Sequence, residues 1–399
     1  MKLTFLGDVM CTGPMLDMFR VSDRYDFSSI FSSVKPMLSK ADYVFANLET
    51  PVSPTDSDLT HERYSFCSPI EFAQAAKDAG IDFVSTANNH CLDRSVKGLC
   101  DTIEALDKVG LEHTGTFAQP SETNPSIINV RGLKIGVCAY TYGTNAFANR
   151  NYLHGSQRRL VNLTQNQELS NRLSRWCYYN RRKFLARVYN KLSETFCPGQ
   201  LSGPVYERRE RSRGCRRKMR RDFRFLKENK VDLSVMLLHL GGQYNHSALS
   251  AAKLLVSNVL GGVNIVCGAH EHVVHHGVYD QVNNNRIATY SLGNFNSSAG
   301  TLTPPFDRFS DYSVAWHIYI DEREKKIKRS TFTILKSVLD AEGRISVRIC
   351  HDLLLNSSED ASATQLLSDM QTVAFRFTGR RFTIEELKSK QELPLDEQS

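Results

Sequence analysis

FVSTANNHCLD, residues 83–93, decides the fold. Phe83, Val84, Ser85 and Thr86 have strand character and run straight into Asn88-Asn89-His90 and then Asp93. A short apolar strand ending in polar, ligand-bearing side chains fits an α/β sheet, where the ligand crevice lies beyond the carboxyl ends of the strands. Downstream, Val96, Leu99, Ile103 and Leu106 recur at three and four residues and predict a helix closed by Gly110. Upstream, Ser68-Pro69 predicts a helix start, with Ser as cap and Pro in the first turn, and Gly80 as its stop.

The same pattern recurs along the chain. Residues 3–6 lead to Gly7-Asp8, residues 43–46 to Asn47-Leu48-Glu49, residues 233–238 to His239, and residues 263–267 to Gly268-Ala269-His270-Glu271-His272. Three hairpins are predicted: 127–130 with 134–140 about Arg131-Gly132, 273–279 with 286–291 about Asn283-Asn284-Asn285, and 313–320 with 328–335. Taken singly, each polar residue has an ordinary reading. Asp8 is a turn residue, Glu49 a surface carboxylate, Asn89 a turn cap and His90 a hydrogen-bonded core histidine. Taken together, Asp8, Glu49, Asn89, His239, His270 and His272 are six oxygen and imidazole donors due at one sheet edge. That set suits a divalent metal: carboxylates and an amide oxygen supply hard character, and imidazoles select transition ions. One or two ions, manganese or zinc, are expected. His275 and His276 read as strand or rim residues.

Composition limits the function classes. With 399 residues and 41% hydrophobic content, the chain can bury a large core. No stretch approaches the roughly 18–20 uninterrupted apolar residues of a membrane span. The start, MKLTFLGD, has no apolar signal core, so the chain as written reads as cytoplasmic, with any membrane association coming through partners. Ten scattered cysteines without a CxxC pair suggest reduced thiols rather than a disulfide scaffold. The net charge of +7 is uneven: residues 150–230 hold 22 Lys and Arg against 6 Asp and Glu, so this segment carries +16 and the rest −9. Residues 146–230 therefore read as a basic helical insert of at least two helices, the second through 216–230. It is a solvated cap, a rim for an anionic polymer or phosphate substrate, or a surface for nucleic acid or acidic membrane. No nucleic-acid fold signature accompanies the charge, and nucleic acid is not the expected partner.

The succession GDVM (7–10), NLETPV (47–52), ANNHCLD (87–93), LHLGGQY (238–244), GAHEHV (268–273) and YSLGNF (290–295) resembles the bacterial capsule-synthesis protein CapA family. The resemblance covers about residues 1–145 and 215–320. Those proteins are associated with poly-γ-glutamate capsule synthesis, and their domain resembles calcineurin-like metallophosphoesterases. The resemblance implies that Asp8 and His272 hold one metal, that Glu49 bridges, and that Asn89, His239 and His270 hold a second. It implies His90 as general acid or charge stabiliser, with Asp93 orienting it. Departures are Met10 where a histidine is usual, Leu240 and Gln243 in the HWG-type motif, and Glu271 where a proline is usual.

The expected fold is thus α/β, a four-layer sandwich of two mixed β-sheets flanked by helices like that of metal-dependent phosphatases. Residues 1–145 and 231–350 form its core, 146–230 the insert and 351–399 a helical tail ending in disorder from 393. The expected function is capsule or envelope-polymer metabolism with a metal-dependent hydrolase site. The rival is an accessory subunit that binds an anionic polymer beside capsule-assembly proteins.

Overall fold

Strand β1 (Lys2–Val9) runs between two neighbours in the computed structural model: β2 (Tyr43–Leu48) in parallel and a later strand in antiparallel. The structure describes residues 1–53, 65–149, 151–165, 167, 183–185, 187–188, 213–245, 247–275, 278–281, 285–296, 308–340, 342–357 and 361–395. β3 (Phe83–Ser85) and β4 (Glu112–Thr114) extend the parallel run. β5 (Ser126–Val130) and β6 (Leu133–Thr141) form the hairpin expected about Arg131-Gly132. β7 (Leu233–His239) and β8 (Ile265–Ala269) continue from β6 in parallel. β9 (Val278–Gln281) is antiparallel to β10 (Arg286–Thr289), which lies parallel to β8. β11 (Tyr312–Asp321), β12 (Lys326–Leu339) and β13 (Ile345–Ile349) form an antiparallel meander, and β11 flanks β1. One mixed sheet therefore reads β13-β12-β11-β1-β2-β3-β4 and the other β9-β10-β8-β7-β6-β5.

Alternation along the strands sets the layers, because successive side chains point to opposite faces. Phe5, Phe45, Phe83 and Trp316 of the first sheet share one apolar cluster with Ile135, Val137, Val235 and Ile265 of the second. Phe5 and Phe45 stack there at 4.8 Å. The other face of the first sheet presents Leu6, Val44, Ala46 and Leu48 to α1 (Ile70–Asp78) and α2 (Ser95–Val109). The other face of the second presents Cys138, Met236, Leu238 and Val266 to α3 (Arg213–Glu228) and α4 (Ser250–Leu260). The result is a mixed α/β fold with helices against both sheets.

A helix as basic as α3 docks on a sheet for specific reasons. Gly136 leaves a gap on β6 that Leu226 fills; a Cβ there would lie 2.5 Å from a Leu226 methyl. Burying such a leucine contributes about 2 kcal/mol. Beside it the buried Asp222 accepts from Tyr140 Oη at 2.5 Å and from Lys218 Nζ at 2.6 Å. α3 matches the second helix expected in the insert, while most of 168–212 lies outside the described residues, as do Asn283 and Asn284.

Two expectations need correction. Ser68-Pro69 does not begin the helix: these residues pair in parallel with Val52–Ser53, and α1 starts at Ile70. Ser68 spends its N–H and hydroxyl on Pro51 O, at 2.8 and 3.1 Å, so it is not free to cap. The tail is helical, as α5 (Ala361–Thr378) shows, but Leu393–Pro394 is ordered as a short strand on β12. Glu392 anchors it by accepting from Lys2 Nζ, Tyr319 Oη and Thr331 Oγ1. Among the described residues no helix is long and apolar enough to cross a membrane.

Candidate metal centre

The carboxyl ends of β1, β2, β7 and β8 meet where the two sheets adjoin. The approach of Gly7 to Gly293 makes this possible: a Cβ on Gly7 would sit 1.8 Å from Gly293 O. The contact lets Asp8 N–H donate to Gly293 O at 3.0 Å and Phe295 N–H to Asp8 O at 2.8 Å. Asp8 is thus held on both sides at the seam. Past β8, His270 and His272 have positive φ values of 95° and 59°. Non-glycine residues in that region are strained, and such strain concentrates at functional sites.

All six expected ligands fall in one connected cluster about Glu49. Glu49 is fully buried, and its Oε1 lies 3.4 Å from His239 Nε2, 3.9 Å from His272 Nε2 and 4.0 Å from His270 Nδ1. Asp8, also fully buried, accepts from Asn47 Nδ2 at 2.8 Å and from His270 N–H at 3.2 Å, and its Oδ2 lies 3.4 Å from His272 Nδ1. Asn89 reaches the group through its Oδ1, 2.6 Å from His239 Nε2. Donor atoms of Glu49, His270 and His272 lie within 4.8 Å of one another, and so do those of Asp8, Glu49 and His239. Glu49 is common to both groups, the position a bridging carboxylate would take.

The donor set fits a cation. Neither Glu49 oxygen accepts a hydrogen bond among the described residues, and His270 Nδ1 is also without a partner. A buried carboxylate in that state is costly unless a charge compensates it. The protein's own charges begin that compensation. Burial alone would raise the Glu49 pKa, yet His239 and His272 hold it well below the usual range. His272 moves the other way: burial opposes its charge, but Glu49 and Asp8 raise its pKa to about 9. Burial, then the neighbouring His239, lowers His270 to about 4. Burial, then the Glu49 carboxylate, raises Asp8.

His90 and Asp93 are buried beside the cluster, His90 directly after Asn89. His90 Nδ1 lies 2.7 Å from Asp93 Oδ2, which also accepts the Phe66 N–H at 2.7 Å, while Asp93 Oδ1 accepts from Asn149 Nδ2 at 2.6 Å. Burial disfavours the His90 charge, but Asp93 outweighs it and the pKa is raised, with a smaller push from Glu49. The Phe66 ring covers the imidazole at 4.2 Å.

Sequence reading missed several neighbours. Asn47 links Asp8 to His239 through Nδ2, at 2.8 and 3.2 Å. Asn294 Oδ1 lies 2.9 Å from His272 Nδ1. Tyr142 packs on His270 at 4.7 Å and Tyr244 on His272 at 5.4 Å. The two asparagines do sit inside the NLETPV and YSLGNF motifs, which was the available signal. Met10, where a histidine is usual, is buried, and its backbone is clamped by Asn296 at 2.8 Å on both sides. Glu271 accepts from Gly242 N–H and Asn245 Nδ2, tying the loop after β7 to the one after β8. His275 is buried beside Glu271, 3.4 Å away, not at a rim; His276 lies outside the described residues.

Fold and site together define a mixed α/β protein with a buried carboxylate–imidazole centre suited to a divalent cation. The chain belongs to the bacterial capsule synthesis protein PGA_cap family, matched over residues 2–299. The match runs through the insert and stops before β11. The chain is 24% identical over 302 residues to "Capsule biosynthesis protein CapA" of Bacillus anthracis, an alignment covering 74% of this chain and 59% of that protein. It is 27% identical over 144 residues to "PGA biosynthesis protein CapA" of Bacillus subtilis (strain 168), covering 35% and 37%. The chain thus spans under two thirds of the length of these relatives. A crystal structure of a hypothetical protein from Thermus thermophilus aligns with a TM-score of 0.45 and 13% identity, over 84% of this chain and 99% of that one.

Proposed function

We propose that this protein acts in capsule or envelope-polymer metabolism through a metal-dependent hydrolase centre of the phosphoesterase type. The single observation that carries the reading is Glu49: a fully buried carboxylate whose oxygens accept no hydrogen bond among the described residues, with three imidazoles within 4.0 Å. The helix-flanked pair of mixed sheets supports the same reading, since metal-dependent phosphatases have that layering.

In this reading Asp8, Glu49, Asn89, His239, His270 and His272 hold one or two manganese or zinc ions. A bound ion of this kind supplies a polarised scissile group and an activated water. The rest falls to the protein. His90 carries a proton at Nε2, the nitrogen that Asp93 does not hold, and gives it to the leaving oxygen of a phosphoester, or to the leaving nitrogen of an amide. Asp93 fixes the His90 ring by accepting at Nδ1, and Phe66 shields that contact from water. Tyr142 and Tyr244 wall the imidazoles and narrow the approach.

The test is a phosphoester and amide panel with manganese or zinc supplied. Turnover is expected, and it is expected to vanish in His90→Ala and His239→Ala. A chain silent on the panel with every metal would overturn the reading. The buried Met10 side chain, which brings no imidazole to the first position, favours a second reading, a non-catalytic subunit binding an anionic polymer. Metal-free protein that still binds such a polymer is its signature.

A further inference from the structure

Outside the metal centre lies a cavity of about 600 Å³ between residues 152–167 and the first turns of α3. Its wall carries five cationic side chains: Arg158, Arg159, Arg217, Lys218 and Arg221. Asp222 takes Lys218 at 2.6 Å and approaches Arg221 at 3.9 Å. Arg158, Arg159 and Arg217 have no carboxylate partner among the described residues, and Arg158 only donates to Leu153 O at 3.4 Å. A second observation points to an occupant. Asn162, on the same wall, is 3% exposed, yet its Oδ1 has no hydrogen-bond partner among the described residues. A buried acceptor left open costs about 1–3 kcal/mol unless a ligand supplies an N–H or O–H.

The cavity adjoins the metal centre through one stretch of chain. Leu153, Val161 and Leu163 pack with Cys91 and Leu92, which follow His90. Asn151 Nδ2 donates to Leu92 O at 2.7 Å, and Asn149 holds Asp93. A chain lying in the cavity would therefore pass beside the loop that presents His90.

We infer that this cavity is a binding subsite for a linear polymer bearing repeated carboxylate or phosphate groups, separate from the metal-binding residues. Guanidinium forks pair with either group in bidentate fashion. Several such groups in one cavity suit a repeating polyanion better than a single small anion. Among the described lining residues the aromatic rings are Tyr152 and His154 alone, which is short of the run of rings on which successive bases of a single strand stack. The choice of a polymer rests on the proposed role in polymer metabolism; the choice of an anion rests on the cavity alone.

The experiment is fluorescence anisotropy with labelled polyglutamate, labelled polyphosphate and a labelled single-stranded oligonucleotide, on protein treated with chelator. Binding of polyglutamate or polyphosphate is expected, falling steeply with salt. The stronger of the two identifies the group. The double variant Arg159→Glu/Arg217→Glu should weaken binding at least about tenfold, with Arg159→Gln/Arg217→Gln between it and wild type. Melting curves check that both variants fold. Absence of binding to both polymers, binding unchanged in the charge-reversed variant, or tighter binding of the oligonucleotide would each overturn the inference. The two proposals separate cleanly: polymer binding by a hydrolytically silent chain defeats the hydrolase and keeps the subsite, and turnover without polymer binding does the reverse.

Discussion

Replacing Glu49 by Gln keeps the shape of the buried side chain and removes its charge. In the metal-bound protein that charge would be the common ligand of both donor groups. A ligand that binds only the folded state stabilises it by RT ln(1 + [L]/Kd), about 4.1 kcal/mol at 1,000 times Kd. Unfolding entropy near the melting point is about 2.1 cal/mol/K per residue, or roughly 0.8 kcal/mol/K for this chain. Saturating manganese or zinc should therefore raise the wild-type Tm by about 5 °C relative to chelated protein. Loss of a charged ligand should weaken binding by about a hundredfold, the upper end of the roughly 10–100-fold cost of removing a ligand's hydrogen-bond partner. The same ion concentration then stands at about 10 Kd, contributes about 1.4 kcal/mol and shifts Tm by less than about 2 °C. Differential scanning fluorimetry with and without EDTA measures both. Equal shifts in wild type and Glu49→Gln, or none in either, would refute the reasoning that Glu49 is the hub of the centre.

Asp93→Ala leaves His90 Nδ1, the Phe66 N–H and Asn149 Nδ2 without their acceptor, so the variant should lose about 2–3 kcal/mol in urea unfolding and about a hundredfold in kcat while retaining metal; wild-type kcat would remove Asp93 from the chemistry. Gly7→Ala forces a Cβ to 1.8 Å from Gly293 O and must push β1 away from it, destabilising by about 3 kcal/mol or more and displacing Asp8; an unchanged melting curve would show that the seam is loose. His317 is fully buried between Thr4 Oγ1 and Thr333 Oγ1, and burial, then Lys2, lowers its pKa to about 3. The unfolded chain takes that proton first, so its contribution is intact above about pH 6.5 and is lost as pH falls, by about 3 kcal/mol at pH 4. In His317→Leu the urea midpoint should fall less between pH 7 and 4 than in wild type, and an identical acid slope would contradict the assignment.

The strand ends were legible because apolar runs break into polar side chains at Asp8, Glu49, Asn89, His239 and His270. Burial of the run and exposure of its end to a crevice are both local consequences of composition. What was not legible depended on pairing. Asn47 reaches Asp8 because β1 and β2 are in register at Asp8↔Asn47, and Asn294 reaches His272 through a bridge to Asp8. No local pattern encodes either. β12 continues to Leu339 past the expected end at 335 because β13 pairs with Leu335–Leu339 and carries the strand through Lys336 and Ser337. Ser68 was misread since its capping preference is local, whereas its partner Pro51 lies seventeen residues away. Leu393–Pro394 was misread for the same reason: Glu392 finds Lys2 across the whole length of the chain.

Elemental analysis of the purified protein after loading with manganese or zinc and exhaustive dialysis measures the centre itself. One or two tightly held ions per chain are expected in wild type and in His90→Ala, with a loss of ions in Glu49→Gln and His239→Ala. A wild-type chain that emerges free of metal would contradict a metal centre built on Glu49.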